Sequence, residues 1–176
     1  MNQQQYRDLS TWVCKTPLRK KTINLLCQVI PNTLFLLYIL ASLYVMLELF
    51  RNGFDSQLLP FWIVPAVGFF IVTIIRKKLN HPRPDECFDF IPLRHHEHGL
   101  SFPSRHSASA FLVSYGLWYL HHVGKYPLSL VILALVLSVL TAVSRVVAGV
   151  HFPKDVIAGF IFATIISVVG FAIFLL

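Results

Sequence analysis

The chain has 176 residues and a formal net charge of +7, and 56% of its residues are hydrophobic while only 13% are charged. Its mean hydropathy is +0.66. A soluble domain of this size is much less apolar, so the composition excludes an ordinary soluble protein and predicts an integral membrane protein.

The first 29 residues contain no cleavable signal-peptide pattern, so we expect the first apolar run to act as its own insertion signal. The spacing of apolar residues in this segment predicts a short amphipathic helix that lies at the membrane surface. These residues are Tyr6, Leu9, Trp12 and Val13. The alternative is a disordered tail that ends in basic residues before the first span.

Five apolar runs follow, and each approaches the length of about 20 residues that a transmembrane helix needs. The third run is the most polar because it contains serines, a tyrosine and a histidine, which is typical of a helix that faces a bundle interior. We therefore predict an all-α, polytopic transmembrane bundle of about five spans plus an N-terminal interfacial helix, forming a single domain over residues 1–176. The predicted spans are residues 30–50, 58–75, 106–122, 126–143 and 156–176.

Five spans would bring three polar segments to one membrane face, namely residues 1–29, 76–105 and 144–155. The second of these holds six lysines or arginines and four histidines. Such a density of cations beside a membrane suits a multiply charged anion, and phosphate is the commonest biological case.

The third polar segment places Ser144, Arg145, His151 and Asp155 between two long apolar runs. Desolvating an ionisable group near a bilayer costs roughly 2.5 to 3.5 kcal/mol, so such groups usually line a polar cavity or a catalytic pocket. If a helix begins near Pro153, then Asp155 lies beside His151 and orients its ring. Histidines together with arginines predict phosphoryl transfer, in which one histidine attacks phosphorus and another protonates the leaving oxygen.

With these residues the chain resembles the type 2 phosphatidic acid phosphatase superfamily, whose third motif is S-R-x5-H-x3-D. Ser144, Arg145, His151 and Asp155 match this motif without departure. The resemblance implies that His151 is the nucleophile, that it forms a phosphohistidine intermediate, and that Asp155 fixes its tautomer. It also implies a helical membrane phosphatase that uses neither a metal nor another cofactor.

The other two motifs of the family depart from the pattern at one position each. The first, K-x6-R-P, ends at Arg83 and the proline after it, with Arg76 at the lysine position and Lys77 one residue out of register. The second, P-S-G-H, is matched by residues 103–106 with Arg105 in place of glycine. Either Arg105 reaches a second phosphate of a diphosphate substrate, or the turn simply tolerates the change.

The resemblance further implies that His106 is the general acid for the leaving group and then the base that activates water. The implied phosphate-binding residues are Arg76 or Lys77, Arg83, Ser104, Arg105 through its backbone amide, Ser144 and Arg145. Arginine at position 76 keeps the positive charge but changes its reach and hydrogen-bond geometry.

Residues 94–98, with the sequence Arg-His-His-Glu-His, offer an alternative site in the form of a metal cluster. We expect a solvated recognition loop instead, because no partner group with ligand spacing occurs elsewhere in the chain. Cys14, Cys27 and Cys87 form no CxxC motif and no even framework, so neither a zinc site nor a disulfide scaffold is predicted.

We expect the protein to hydrolyse the terminal phosphate of a lipid phosphate or lipid diphosphate. Candidate substrates are undecaprenyl pyrophosphate, phosphatidylglycerophosphate and phosphatidic acid, and the other partners are membrane lipids rather than nucleic acid. The rivals are a lipid phosphotransferase that uses the same histidine, a vanadate-dependent haloperoxidase, and a non-catalytic protein that binds or transports lipid phosphates.

Two arguments about orientation oppose each other. Thirteen of the fifteen lysines and arginines fall on the face of the polar segments, which the positive-inside rule would place in the cytoplasm. Eight of those thirteen lie between Arg76 and Lys154, where we expect phosphate or headgroup binding. The family's lipid phosphatases mostly act on the extracytoplasmic or lumenal side, so the resemblance implies a multi-pass protein of the cell membrane with an extracytoplasmic active site.

Overall fold

The computed structural model describes residues 1–93 and 98–175, and within these residues the regular secondary structure is entirely helical. Helices α2, α3, α6 and α7 belong to segments that are long and apolar enough to cross a membrane. The all-α transmembrane architecture is therefore confirmed. The helices are α1 (Gln3–Cys14), α2 (Pro17–Asn52), α3 (Pro60–Leu79), α4 (Pro84–Cys87), α5 (Arg105–His122), α6 (Leu128–Val147) and α7 (Pro153–Leu175), with a 3-10 turn at Ser56–Leu58.

Helix α5, the most polar of the predicted spans, lies at the centre of the bundle and packs against α2, α3, α6 and α7. Its serines are buried among the other helices: the Ser114 hydroxyl lies 2.8 Å from that of Ser138, which donates to the Ala110 carbonyl. Polar side chains that bond across helices are stable in such a position because they do not meet lipid. The prediction that this run faces the interior is confirmed.

Helix α2 begins at Pro17, well before the predicted start of the first span at residue 30. Its start is capped by Thr16, whose hydroxyl accepts a hydrogen bond from the backbone N–H of Arg19 at 3.2 Å. Its 36 residues extend for about 54 Å, which exceeds the ~30 Å of the hydrocarbon core. The segment predicted as interfacial, residues 1–29, is thus divided between α1 and the first turns of a long membrane helix.

Helix α1 forms as predicted, with Asn2 and Gln5 making reciprocal capping hydrogen bonds at its start. Tyr6 and Val13 are buried, but they pack against the protein rather than against lipid. Trp12 is exposed, and the Arg19 guanidinium lies 4.8 Å from the centre of its indole ring. The segment is therefore a helix and not a disordered tail, and α1 packs against the rest of the protein.

The three polar segments meet at one end of the bundle. The Tyr6 hydroxyl donates to the backbone carbonyl of His151 at 3.2 Å. The backbone N–H of Ser104 donates to the Asp155 carbonyl at 2.9 Å. Close contact between α5 and α7 at this point requires Gly159, because an added Cβ there would lie 2.7 Å from the Ser104 carbonyl oxygen.

Candidate active site

His151 lies in the turn between α6 and α7 and is only 2% exposed. Gly149, two residues earlier, has a φ of +73°, which favours glycine and reverses the chain so that His151 points into the protein. The ring Nδ1 lies 3.4 Å from the Ser101 hydroxyl and 3.7 Å from Asp155 Oδ2. This arrangement turns Nδ1 toward the two polar groups and leaves Nε2 as the nitrogen available to a substrate.

Asp155 lies in the first turn of α7, which begins at Pro153 as predicted. Its Oδ2 accepts hydrogen bonds from the Ser101 hydroxyl at 2.5 Å and from the Phe152 N–H at 3.0 Å. The 3.7 Å between Oδ2 and the His151 ring is an ion-pair distance but is too long for a direct hydrogen bond. Ser101 therefore bridges the carboxylate and the imidazole.

Sequence reasoning missed Ser101. Its backbone N–H donates to the His81 carbonyl at 2.8 Å, which fixes the residue between the first and second motifs. The only signal in the sequence was a serine two residues before Pro103, and no spacing rule connects it to Asp155. The contact depends on how residues 54 positions apart meet in space.

Burial lowers the pKa of His151, and this is the largest influence on it. The nearby carboxylate of Asp155 acts in the opposite direction, while the positive charges of Arg83 and Arg76 lower the pKa further. A lowered pKa keeps the imidazole neutral at neutral pH, which is the state in which a histidine nitrogen can act as a nucleophile.

The Arg83 side chain is buried and clamps two segments of backbone together. Its Nε donates to the Gly99 carbonyl and its Nη1 donates to the Val150 carbonyl, each at 3.0 Å. Val150 precedes His151, so Arg83 both brings positive charge to the site and stabilises the turn that carries His151.

Arg76 is only 7% exposed, whereas the neighbouring Lys77 is exposed at the end of α3. Arg76 lies within electrostatic range of Arg83, Arg105 and Asp155. Among the residues that the structure describes, its Nη1 has no hydrogen-bond partner. A buried guanidinium N–H without a partner is costly, so this donor points to an anionic ligand.

Arg145 is buried near the end of α6 and is held by contacts with its own helix and with α2. Its Nε donates to the Ser144 hydroxyl at 3.3 Å, and that hydroxyl donates to the Thr141 carbonyl at 2.7 Å. Its Nη2 donates to the backbone carbonyl of Cys27. Pro31, four residues later, has no N–H to bond this carbonyl, so the proline makes room for the arginine.

Ser104 is the N-cap of α5, and its hydroxyl accepts a long hydrogen bond of 3.4 Å from the Ser107 N–H. Ser104 is buried, while Arg105 and His106 in the first helical turn are exposed. The second motif therefore contributes one buried residue that binds to the third motif and two exposed side chains.

A cavity of about 570 Å³ lies between α2, α3, α5 and α6. Arg105, His106 and Arg145 line its polar part, and Phe35 and Phe69 contribute apolar walls. Such a combination of a cationic end and apolar walls suits an amphipathic anion. His151 is not among the residues that line the cavity, so in this structure the cavity does not open onto the enclosed histidine.

Helices α2 and α3 meet at the opposite end of this cavity. The Tyr38 hydroxyl donates to the Phe61 carbonyl at 3.3 Å, and the Trp62 Nε1–H donates to the Ser42 hydroxyl at 3.1 Å. Nearer to the site the cavity separates the two helices, because Phe35 of α2 and Phe69 of α3 lie on its walls.

Most of the alternative metal cluster, residues 94–97, lies outside the described residues. Of that motif, His98 is described: it is exposed, and its Nδ1 lies 3.7 Å from Glu86 Oε1. Within residues 1–93 and 98–175, no three histidine, cysteine or acidic side chains are grouped closely enough to hold a metal ion.

The fold and this site define a polytopic membrane protein that gathers arginines and histidines at one end of a helical bundle. A family model described as the PAP2 superfamily matches residues 57–175, which include all three motifs. The chain belongs to the PAP2 superfamily. The prediction of this family from the three motifs is confirmed.

The relatives of the chain are lipid phosphatases. Phosphatidylglycerophosphatase B of Bacillus subtilis is 31% identical over 141 residues, covering 66% of this chain and 67% of that protein. The lipid A 1-phosphatase of Rhizobium johnstonii is 29% identical over 126 residues, covering 64% of this chain. The chain spans only 48% of the length of that second relative.

Two solved structures share the fold. A transmembrane PAP2 type phosphatidylglycerolphosphate phosphatase from Bacillus subtilis has a TM-score of 0.69 and 24% identity, covering 97% of this chain and 85% of that one. LpxE of Aquifex aeolicus has the same TM-score with 23% identity, covering 97% and 94%.

Proposed function

We propose that this protein is a metal-independent phosphatase that removes the terminal phosphate of a membrane lipid. The observation that carries the proposal is the buried His151, backed by Ser101 and Asp155 and accompanied by a buried Arg76 donor that has no partner among the described residues. This arrangement presents a neutral nucleophilic nitrogen and positive charge to a phosphate.

In the proposed reaction, His151 Nε2 attacks phosphorus and the bond from phosphorus to the leaving oxygen breaks. His106 gives its proton to that oxygen, which departs with the lipid. His106 then takes a proton from water, whose oxygen attacks the phosphohistidine. The bond between phosphorus and nitrogen breaks, inorganic phosphate leaves, and both histidines return to their starting states.

The arginines stabilise the charge of the phosphoryl group during transfer. Arg76, Arg83 and Arg145 are fixed by burial or by hydrogen bonds before the substrate arrives, so little reorganisation is needed during the reaction. Arginine supplies charge stabilisation of the kind that Mg²⁺ supplies in other phosphoryl-transfer enzymes.

The lipid tail is proposed to lie between α2 and α3. The cavity joins the cationic end to apolar side chains of both helices, so a tail in the bilayer can remain among apolar groups while the headgroup reaches His106. Undecaprenyl pyrophosphate, phosphatidylglycerophosphate and phosphatidic acid are the proposed candidates, since each joins an apolar tail to a terminal phosphate.

The first experiment measures phosphate release by the detergent-purified protein from these three lipids, with a metal chelator present. We expect release by the wild type and none by His151→Ala, because the nucleophile is lost. Brief incubation with substrate labelled in the terminal phosphate, followed by alkaline denaturation, should leave label on the wild-type protein but not on the variant.

Other outcomes of this experiment favour the rivals. Transfer of label to an added lipid acceptor, in place of free phosphate, would make the protein a phosphotransferase. Lipid binding that His151→Ala leaves unchanged, with no release from any lipid, would make it a binding protein. Activity that chelation abolishes and added metal restores would overturn metal independence.

We also propose that the active site lies on the extracytoplasmic side of the cell membrane. Cys14 and Cys87 are exposed at the catalytic end, whereas Cys27 is buried, so the first two are natural reporters of orientation. A membrane-impermeant thiol reagent added to intact cells should label them. In a variant lacking both, Phe54→Cys places a reporter at the opposite end and should stay unlabelled. The reverse pattern would place the site in the cytoplasm.

A further inference from the structure

Arg105 is a cation that the proposed reaction does not use. It occupies the glycine position of the second motif, and its guanidinium lies over the Phe69 ring at 5.6 Å from the ring centre. Over the described part of the chain it forms no ion pair with a carboxylate. Phe69 holds the guanidinium in the cavity without neutralising it.

Among the described residues, the positive charges that act on Arg76 outnumber the negative ones. Arg105 and Arg83 both act on Arg76 as like charges, and Asp155 is the carboxylate within the same range. Asp155 is already engaged with Ser101 and with the turn that carries His151. Like charges gathered near a membrane are unfavourable unless a ligand brings compensating negative charge.

The position of Arg105 identifies where that negative charge would lie. Arg105 and His106 are consecutive and line the same cavity. In the proposed reaction His106 protonates the leaving oxygen, so the leaving group extends into this cavity. Arg105 therefore lies beside the atoms that follow the leaving oxygen, rather than beside the phosphate that is transferred.

We propose that Arg105 binds a second phosphate group directly attached to the one that is removed, so that the preferred substrates are lipid diphosphates. The inference rests on the proposed function and names its substrate class. A guanidinium can form two parallel hydrogen bonds to phosphate oxygens, which favours arginine over the glycine of the family pattern at a site that must hold a phosphate.

The test compares two substrates that share a tail, farnesyl monophosphate and farnesyl diphosphate. Arg105→Gln should raise the KM for the diphosphate by about tenfold or more, because a hydrogen bond to a charged group is lost. The KM for the monophosphate should change by less than about twofold, which is small beside that loss. Arg105→Lys should restore part of the difference. Equal effects on both substrates, or no effect on either, would overturn the proposal.

Lys78→Gln is the matched control, since Lys78 is an exposed cation at the same end of the bundle that does not line the cavity. It should leave the ratio of the two KM values unchanged.

Phosphatidylglycerophosphate is a third substrate for this comparison, because its second phosphate is separated from the terminal one by glycerol. If Arg105→Gln impairs hydrolysis of this lipid but not of farnesyl diphosphate, the directly attached second phosphate is excluded.

A binding measurement separates failure of this proposal from failure of the proposed function. Methylenediphosphonate, which is not hydrolysed, should raise the melting temperature of the wild type but have little effect on Arg105→Gln. Inorganic phosphate should affect both proteins alike. This result would support the second phosphate site even if no lipid were hydrolysed, and equal responses to methylenediphosphonate would contradict it.

Discussion

At the residue scale, the notable feature is that a serine hydroxyl lies between the carboxylate and the imidazole. Ser101 donates to Asp155 at 2.5 Å and lies 3.4 Å from His151 Nδ1. Asp155 therefore influences the ring through its charge and through Ser101 rather than through a direct hydrogen bond. A hydroxyl that orients both groups is a positioning residue, because Ser101 need not touch the substrate.

Ser101→Ala should lower kcat by about tenfold with little change in KM, because removing one buried hydrogen bond near an ionised group has an effect of this order. The pH dependence of kcat should also move, since the carboxylate loses a donor that stabilises its charged form. The measurement is kcat and KM across pH for the purified variant. Ser56→Ala, which is exposed at the opposite end, should behave as the wild type. A rise in KM alone would contradict the positioning role.

At the element scale, two prolines inside membrane helices serve contacts between helices. Pro31 of α2 leaves the Cys27 carbonyl without its helical N–H, and Arg145 donates to that carbonyl. Pro65 of α3 does the same for the Phe61 carbonyl, to which the Tyr38 hydroxyl donates. Membrane helices tolerate proline when a neighbouring helix supplies a donor in this way.

Pro31→Ala should therefore weaken substrate binding without lowering stability. Alanine restores a helical hydrogen bond to the Cys27 carbonyl, so the melting temperature should stay the same or rise. The new N–H competes with Arg145 for that carbonyl, so the KM should rise by about threefold to tenfold, as expected for a weakened hydrogen bond of roughly 1 kcal/mol. Phosphate release and thermal unfolding of the same preparation provide both measurements.

Pro65→Ala is the matched control for this prediction, because it makes the same change at the end of the bundle away from the site. It should alter stability without altering the KM. If both variants raised the KM equally, the effect would belong to helix flexibility in general rather than to the position of Arg145.

Helix α1 also contacts the active site and the loop beside it. Its Tyr6 hydroxyl donates to the His151 carbonyl, and its ring stacks on Phe90 at 5.2 Å. Arg7 Nη2 reaches Asp89 Oδ2 at 3.0 Å, which fastens the helix to the same loop. Burial raises the pKa of Tyr6, so its hydroxyl keeps the proton that it donates.

Tyr6→Phe should lower kcat about threefold to tenfold while the protein remains folded, since the ring stack survives and one hydrogen bond worth roughly 1 kcal/mol is lost. The loss arises because the His151 turn gains freedom. The assay is the same phosphate release, with Tyr38→Phe as a control that removes a comparable hydrogen bond at the opposite end. Equal losses of activity in the two variants would argue against a specific role for α1.

At the scale of the whole molecule, the lowered pKa of His151 makes the stability of the native protein depend on pH. The unfolded chain binds a proton at this residue near the ordinary value of about 6.5, whereas the native protein binds it only at lower pH. Between these values the unfolded state holds more protons, so the stability of the native protein falls as pH falls below about 6.5.

We expect the same property to set the acidic limit of activity, because protonated His151 cannot attack phosphorus. The acidic limb of kcat/KM should therefore lie below pH 6.5. Melting temperatures at pH 7.5 and pH 5 should differ more for the wild type than for His151→Asn. An acidic limb above pH 6.5, or equal sensitivity of the two proteins, would contradict a lowered pKa.

The sequence by itself determined the class of protein and the convergence of the polar segments. Apolar runs long enough to cross a bilayer, and polar segments between them, are properties of neighbouring residues and need no knowledge of tertiary contacts. The third motif, from Arg145 to Asp155, spans the short connection between two helices, so its approximate geometry also follows from neighbouring residues. Helix α2 contains the predicted span of residues 30–50 but begins earlier, at Pro17, and it continues through Pro31 because Arg145 donates to the Cys27 carbonyl in place of the missing proline N–H.

Only the tertiary structure decided what surrounds the histidine. Ser101 reaches Asp155, Tyr6 reaches the His151 carbonyl, and Cys27 reaches Arg145 across separations of 54, 145 and 118 positions. The packing of the helices also makes Arg76 buried and Lys77 exposed, although the two residues are adjacent. Contacts of this kind depend on how the helices pack and on which side of each helix faces its neighbours, and local hydrophobic patterns do not contain that information.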